Sequence, residues 1–198
     1  MDRVDHPPLR ATRWVWPLGV GVAAALMRIW LVADRVAHSN YDEWRYLAIA
    51  RTLTGDVDWY VDGLTFSPGY PTLVAPIHWL TSDPAVVQRF ALALNAVLGG
   101  LLAALLVLLA RRMTRLTDPW CAAAALLAAS VPGAFLQSNW AAPEALMATI
   151  FVAIVLASSH LVERPRFTTG LLIVVLAPLG YLAHGRFLPL IVSTALLI

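Results

Sequence analysis

Val86 to Ala110 reads VVQRFALALNAVLGGLLAALLVLLA, and Arg111, Arg112 and Arg115 close the run. About 20 mostly apolar residues in a helix cross the hydrocarbon core of a bilayer. This stretch therefore reads as a membrane span. Working outward, five more apolar runs appear: Trp14 to about Ala33, Pro119 to about Gln137, Ala142 to about Val162, Thr168 to Ala183, and Phe187 to Ile198. The expected fold is all-α, a polytopic transmembrane helix bundle.

Composition agrees. Of 198 residues, 60% are hydrophobic and 13% are charged, where soluble domains carry about 25% charged residues. A soluble domain of this size could not hide so much apolar surface, whereas lipid can cover it. The net charge of +2 gives no nucleic-acid signal. The single cysteine, Cys121, excludes an internal disulfide framework. It lies in an Ala-rich apolar run and reads as a small buried residue.

Arginines set the expected direction, because cytoplasmic flanks carry an excess of basic residues. Arg3, Arg10 and Arg13 precede the first span, and this polar start leads into a run of spanning length rather than a cleavable leader. With the N-terminus cytoplasmic, alternation puts Arg111, Arg112 and Arg115 inside, with Arg164 and Arg166. Asp34 to Asp83 then face outward, as do Ser138-Asn139-Trp140 and His184-Gly185-Arg186. The expected location is the plasma membrane, multi-pass, with the loop 34–83 extracytoplasmic. The chain stops within its sixth apolar run, so the expectation is that residues 1–198 form the N-terminal part of a larger polytopic enzyme, inactive alone.

The outer loop is expected to carry structure. It holds seven acidic residues: Asp34, Asp42, Glu43, Asp56, Asp58, Asp62 and Asp83. Ser39 or Asn40 can cap a helix starting near Tyr41, with Asp42 and Glu43 in its first turn. Tyr46, Ile49, Ala50 and Leu53 recur at helical spacing, and Gly55 is a stop. This describes an amphipathic juxtamembrane helix. Phe66-Ser67-Pro68-Gly69-Tyr70-Pro71 reads as a turn. Thr72 to Leu80 is apolar but too short to span, and it is expected in the interface with Trp79 at headgroup depth.

Several polar groups have both a bland and a chemical reading. Asp42 and Glu43 are first-turn charges or a general base held at the membrane surface. Glu144, behind Pro143, is a dipole-stabilised first-turn residue or an ionisable group kept for function. His184 and Arg186 form a short outer turn with a snorkelling Arg or a phosphate-binding cation. Snorkelling is also the expectation for Arg28 and Arg89. His6, His38, His78 and His160 show no paired metal-ligand spacing. Asp42, Glu43, Glu144, His184 and Arg186 lie far apart in sequence yet fall on one side.

Asn40-Tyr41-Asp42-Glu43-Trp44-Arg45-Tyr46-Leu47-Ala48-Ile49-Ala50-Arg51 resembles the first outer loop of membrane glycosyltransferases of the GT-C fold. The nearest branch contains protein O-mannosyltransferases and lipid A aminoarabinose transferases. There an Asp-Glu pair precedes a Tyr and an Ala-Arg on a juxtamembrane helix, and a Pro-rich turn leads to a second such helix. Phe66 to Pro71 resembles that turn, although Ser-Pro-Gly-Tyr-Pro replaces the Lys-Pro-Pro type of the aminoarabinose branch. Val87-Gln88-Arg89-Phe90 resembles the segment with an Arg at the outer start of the second span. Pro143-Glu144 resembles the acidic opening of the fourth, and His184-Gly185-Arg186 the basic position after the fifth. The resemblance implies transfer of a sugar from a polyprenyl-phosphate carrier to a protein, lipid or glycan acceptor. Asp42 or Glu43 would be catalytic, and Arg89, Glu144, His184 and Arg186 would bind substrate. Some relatives use a divalent metal, and nothing in this sequence demands one.

Two other classes compete. A transporter or flippase would place its polar residues near the midplane on broken helices, often in internal repeats. Here they gather at one face and no repeat is found. A non-enzymatic scaffold leaves the ordered acidic loop unexplained.

Overall fold

Apolar runs become helices because a chain in lipid must satisfy its own backbone hydrogen bonds. A computed structural model describes residues 14–33, 41–55, 67–131 and 140–195. These residues contain helices and no strand. In chain order the helices are α1 (Val15–Ala33), α2 (Tyr41–Leu53), α3 (Gly69–Val74), α4 (Pro84–Met113), α5 (Asp118–Ala129), α6 (Glu144–Glu163), α7 (Phe167–Ala183) and α8 (Leu188–Ala195). Short 3-10 turns at Ala75–Trp79 and Gly185–Phe187 precede α4 and α8.

The chain is a membrane protein by the length and hydropathy of α1, α4 and α6, which are long and apolar enough to cross a bilayer. α5 and α7 are apolar but shorter, at 12 and 17 residues. Trp14, Leu18, Val22, Leu26 and Trp30 recur every fourth residue along α1, and all are exposed. Such a stripe suits contact with lipid tails.

α4 is the centre of the bundle, with α1, α5 and α6 packed on it. α7 packs on α6, and α8 on α7. Helices in lipid associate through close packing and hydrogen bonds, because burial against another apolar helix gains little over burial in lipid. The α1–α4 contact shows this. A Cβ on Gly100 would lie 2.5 Å from the Gly21 carbonyl oxygen and 2.8 Å from the Ala25 Cβ, so only hydrogen fits there. α1 runs antiparallel to α4, with Gly21 beside Gly100 and Ala104, and Arg28 beside Gly99. Thr149 of α6 donates its hydroxyl to the Leu98 carbonyl of α4 at 3.1 Å.

Helix ends follow local chemistry. Asp83 caps α4 by accepting from the Ala85 N–H at 2.9 Å, and Pro84 fills the first position, where no N–H is needed. α2 starts at Tyr41 with Asp42 and Glu43 in its first turn, and the chain leaves it through Gly55 at φ 77°. Both bounds match the sequence expectation. The capping residues Ser39 and Asn40 lie outside the described residues, as do Asp34, Asp56, Asp58, Asp62, Phe66 and Ser138-Asn139.

Three expectations change. Gly69-Tyr70-Pro71 is not part of a turn but the first turn of α3, where proline is tolerated because the first N–H groups have no partner in the helix. α5 closes at Ala129 rather than continuing toward Gln137, and residues 132–139 lie outside the described set. Arg28 does not snorkel. It is 2% exposed and donates to the carbonyls of Ala24 at 3.2 Å and Ala129 at 2.7 Å. Ala129 is the last residue of α5, where open carbonyls and the negative end of the dipole favour a cation.

Candidate functional site

The polar residues singled out from sequence gather at the end of the bundle where α4 begins. Four separate segments bring them: α2, the Trp140–Glu144 stretch, the turn between α7 and α8, and the first turns of α4.

α2 sits against α3 and the Ala75–Trp79 turn. Its buried face carries Glu43, Tyr46 and Ala50. Asp42 and Glu43 are neighbours, so they point about 100° apart around the helix. Asp42 is exposed and Glu43 is 3% exposed. The Glu43 Oε1 accepts from Gln88 Nε2 at 2.9 Å and from the Ala141 N–H at 3.0 Å. Seven residues beyond Gln88, on the same face of α4, Asn95 is fully buried. Its Nδ2 donates to the carbonyls of Trp140 and, at 3.2 Å, Ala142. Three backbone groups of Trp140–Ala142 are thus held by two buried side chains from other elements.

Tyr46 lies one turn after Asp42. Its ring meets Tyr70 edge to face, with centroids 5.9 Å apart and planes at 84°. Tyr70 is fully buried, and its hydroxyl donates to the Ala91 carbonyl at 3.4 Å. Burial pushes the Tyr46 phenol up to about 12, and the carboxylates of Glu144 and Asp42 add to this while Arg186 opposes it. One phenol therefore feels both carboxylates and the arginine. Burial also raises the Tyr70 hydroxyl, helped by the Glu43 carboxylate. Both tyrosines stay protonated donors at neutral pH.

His184 ends α7, and its Nδ1 accepts from the Arg186 N–H at 3.1 Å. Burial lowers its pKa, the Arg186 charge lowers it further, and Glu144 pulls the other way. An Nδ1 that accepts leaves the proton on Nε2, so the ring is a neutral donor. Glu144, the first residue of α6, has a buried Oε2 with no hydrogen-bond partner. Arg186 is exposed.

Asp42, Glu144 and Arg186 thus share one electrostatic neighbourhood around Tyr46, and His184 feels the charges of Glu144 and Arg186. Glu43 belongs to the hydrogen-bonded layer beneath it. Arg89 is exposed on α4, and its neighbour Gln88 is the residue that faces Glu43. Sequence reasoning missed Gln88 and Asn95. The available signal was two amides seven residues apart in an otherwise apolar span.

Among the described residues, no three His, Cys, Asp or Glu side chains converge to hold a metal ion. The arrangement offers an exposed carboxylate, a second carboxylate with a buried, unpartnered oxygen, a neutral imidazole donor and a guanidinium. No family model, curated protein or solved structure matches the chain.

Proposed function

We propose that this chain belongs to a membrane glycosyltransferase that moves a sugar from a polyprenyl-phosphate carrier to an acceptor hydroxyl outside the cytoplasm. One observation carries the reading. Three segments distant in sequence bring the charges of Asp42, Glu144 and Arg186 to a single buried phenol at one end of an apolar bundle, and His184 feels two of the same charges, Glu144 and Arg186. Such a site combines a base with phosphate-binding donors beside lipid. The arginine-rich opposite end, with Arg111, Arg112, Arg115, Arg164 and Arg166, supports a cytoplasmic orientation for that end.

The chemistry uses protein groups. Asp42 accepts the proton of the acceptor hydroxyl as that oxygen bonds the anomeric carbon. The bond from that carbon to the carrier phosphate breaks, and its electron pair leaves on the phosphate oxygen. Arg186 and the His184 Nε2–H stabilise the departing charge, as preorganised donors do. The buried, unpartnered Oε2 of Glu144 takes a hydrogen bond from an acceptor or sugar hydroxyl once substrate opens the site. Lipid-facing grooves between spans hold the prenyl chain.

The test supplies radiolabelled polyprenyl-phosphate sugars to the whole protein in membranes and follows release of sugar from lipid. Wild type should release it, and Asp42→Asn should lose about 10²–10⁴ in rate, the usual contribution of a general base. Equal turnover would remove Asp42 from the chemistry. No turnover with any donor would overturn the transferase reading in favour of a transporter or scaffold.

A further inference from the structure

We infer that Glu43 is a positioning residue that sets the spacing between Asp42 and Glu144, rather than a proton acceptor. The kinetic part of this inference rests on the transferase reading. The geometric part does not.

Glu43 is 3% exposed, and its Oε1 is occupied by Gln88 and by the Ala141 N–H. A base must lie within hydrogen-bond reach of the proton it removes. Here the reachable partners are protein donors, and the neighbouring Asp42 is the one open to an acceptor.

The partners explain what the bond does. One end lies on α2, immediately after Asp42. The other lies at Ala141, three residues before Glu144. Between them Pro143 contributes a rigid ring with no N–H. The Trp140 and Ala142 carbonyls are held from the opposite side by Asn95. The stretch is therefore gripped from α2 and from α4, with Glu43 supplying a buried hydrogen bond to α2 and Tyr46 and Ala50 packing in the same cluster as Ala141 and Ala142. Gln88 completes the link by tying the same oxygen to α4. The two functional carboxylates are 102 residues apart in sequence, yet one buried side chain couples their backbones.

The test uses the whole protein in membranes, with Cys121→Ala and spin labels at Thr52→Cys on α2 and at Trp140→Cys. Both labelled positions are exposed. Glu43→Gln keeps an oxygen acceptor for both donors. It should leave the 52–140 distance distribution narrow, hold kcat within tenfold of wild type, and retain the acidic limb of the pH–kcat profile. Glu43→Leu should broaden the distribution and lower kcat by about 10²-fold, the effect of a misplacement near 1 Å. Gln88→Leu should broaden it less.

A Glu43→Gln protein with a narrow distribution but no acidic limb would make Glu43 a base and overturn the inference. A narrow distribution in Glu43→Leu would overturn it as well. If wild type turns over no donor, the transferase reading falls alone, and the distance distributions still decide whether Glu43 sets the spacing.

Discussion

The two ends of α4 are fastened by different physics. At the Met113 end, Arg111 pairs with Asp118 and Arg112 with Glu163, each at 2.8 Å, and the two acidic side chains are 45% and 65% exposed. Water screens such pairs, and they contribute about 0–1 kcal/mol. At the Pro84 end, the Glu43 carboxylate is buried and takes neutral amide donors from Gln88 and Ala141. Removing a buried donor there leaves a polar group with neither protein nor water. The first end tolerates change, and the second is the end that carries the candidate site.

Substitution of Asn95 should cost the most. Asn95→Leu strands the carbonyls of Trp140 and Ala142. At about 1–3 kcal/mol for each of these two buried orphans, the loss should reach about 2–6 kcal/mol. Denaturant unfolding in detergent micelles checks it, and a loss under about 1 kcal/mol would show that water reaches this layer. At the other end, Glu163→Gln should cost less than about 1 kcal/mol, and the cost should shrink further with added salt. An equal cost for both variants would erase the distinction between the ends.

The smallest effect is on the pH dependence of stability. Folding lowers the His184 pKa, so below the unfolded value of about 6.5 the unfolded chain binds the extra proton. Stability from this group is complete above that pH and is lost as pH falls. His184→Asn keeps an acceptor for the Arg186 N–H but cannot titrate. The wild-type protein should therefore lose more stability than the variant between neutral pH and pH 5. Identical pH curves would mean that the ring is not held neutral by this contact.

Much of the architecture was legible in advance because bilayer-length apolar runs leave few alternatives. α2 was legible from its acidic first turn, its helical spacing and Gly55. Of the candidate residues, Asp42, Glu144 and Arg186 act on one phenol, as their shared side in the sequence led one to expect. The layering of the candidate site was not legible. Asp42 and Glu43 are adjacent and chemically alike, and only the packing of α2 decides which one turns inward. Arg28 was misread for a related reason. An arginine in a span can reach for headgroups or for an open helix end, and the partner that decides, Ala129, lies 101 residues away. Gly69-Tyr70-Pro71 looked like a turn because two prolines and a glycine bracket it, yet the second proline sits where a helix tolerates one.

The bond between Glu43 and Ala141 also fixes an order of assembly. The two residues are 98 positions apart, so at about 5–20 residues per second the ribosome supplies the donor some 5–20 s after the acceptor. Until then the Glu43 oxygen has only the Gln88 amide of its two donors. α2 can pack on α3 and reach Gln88 well before then, so the bond to Ala141 is the last of its described hydrogen bonds to form.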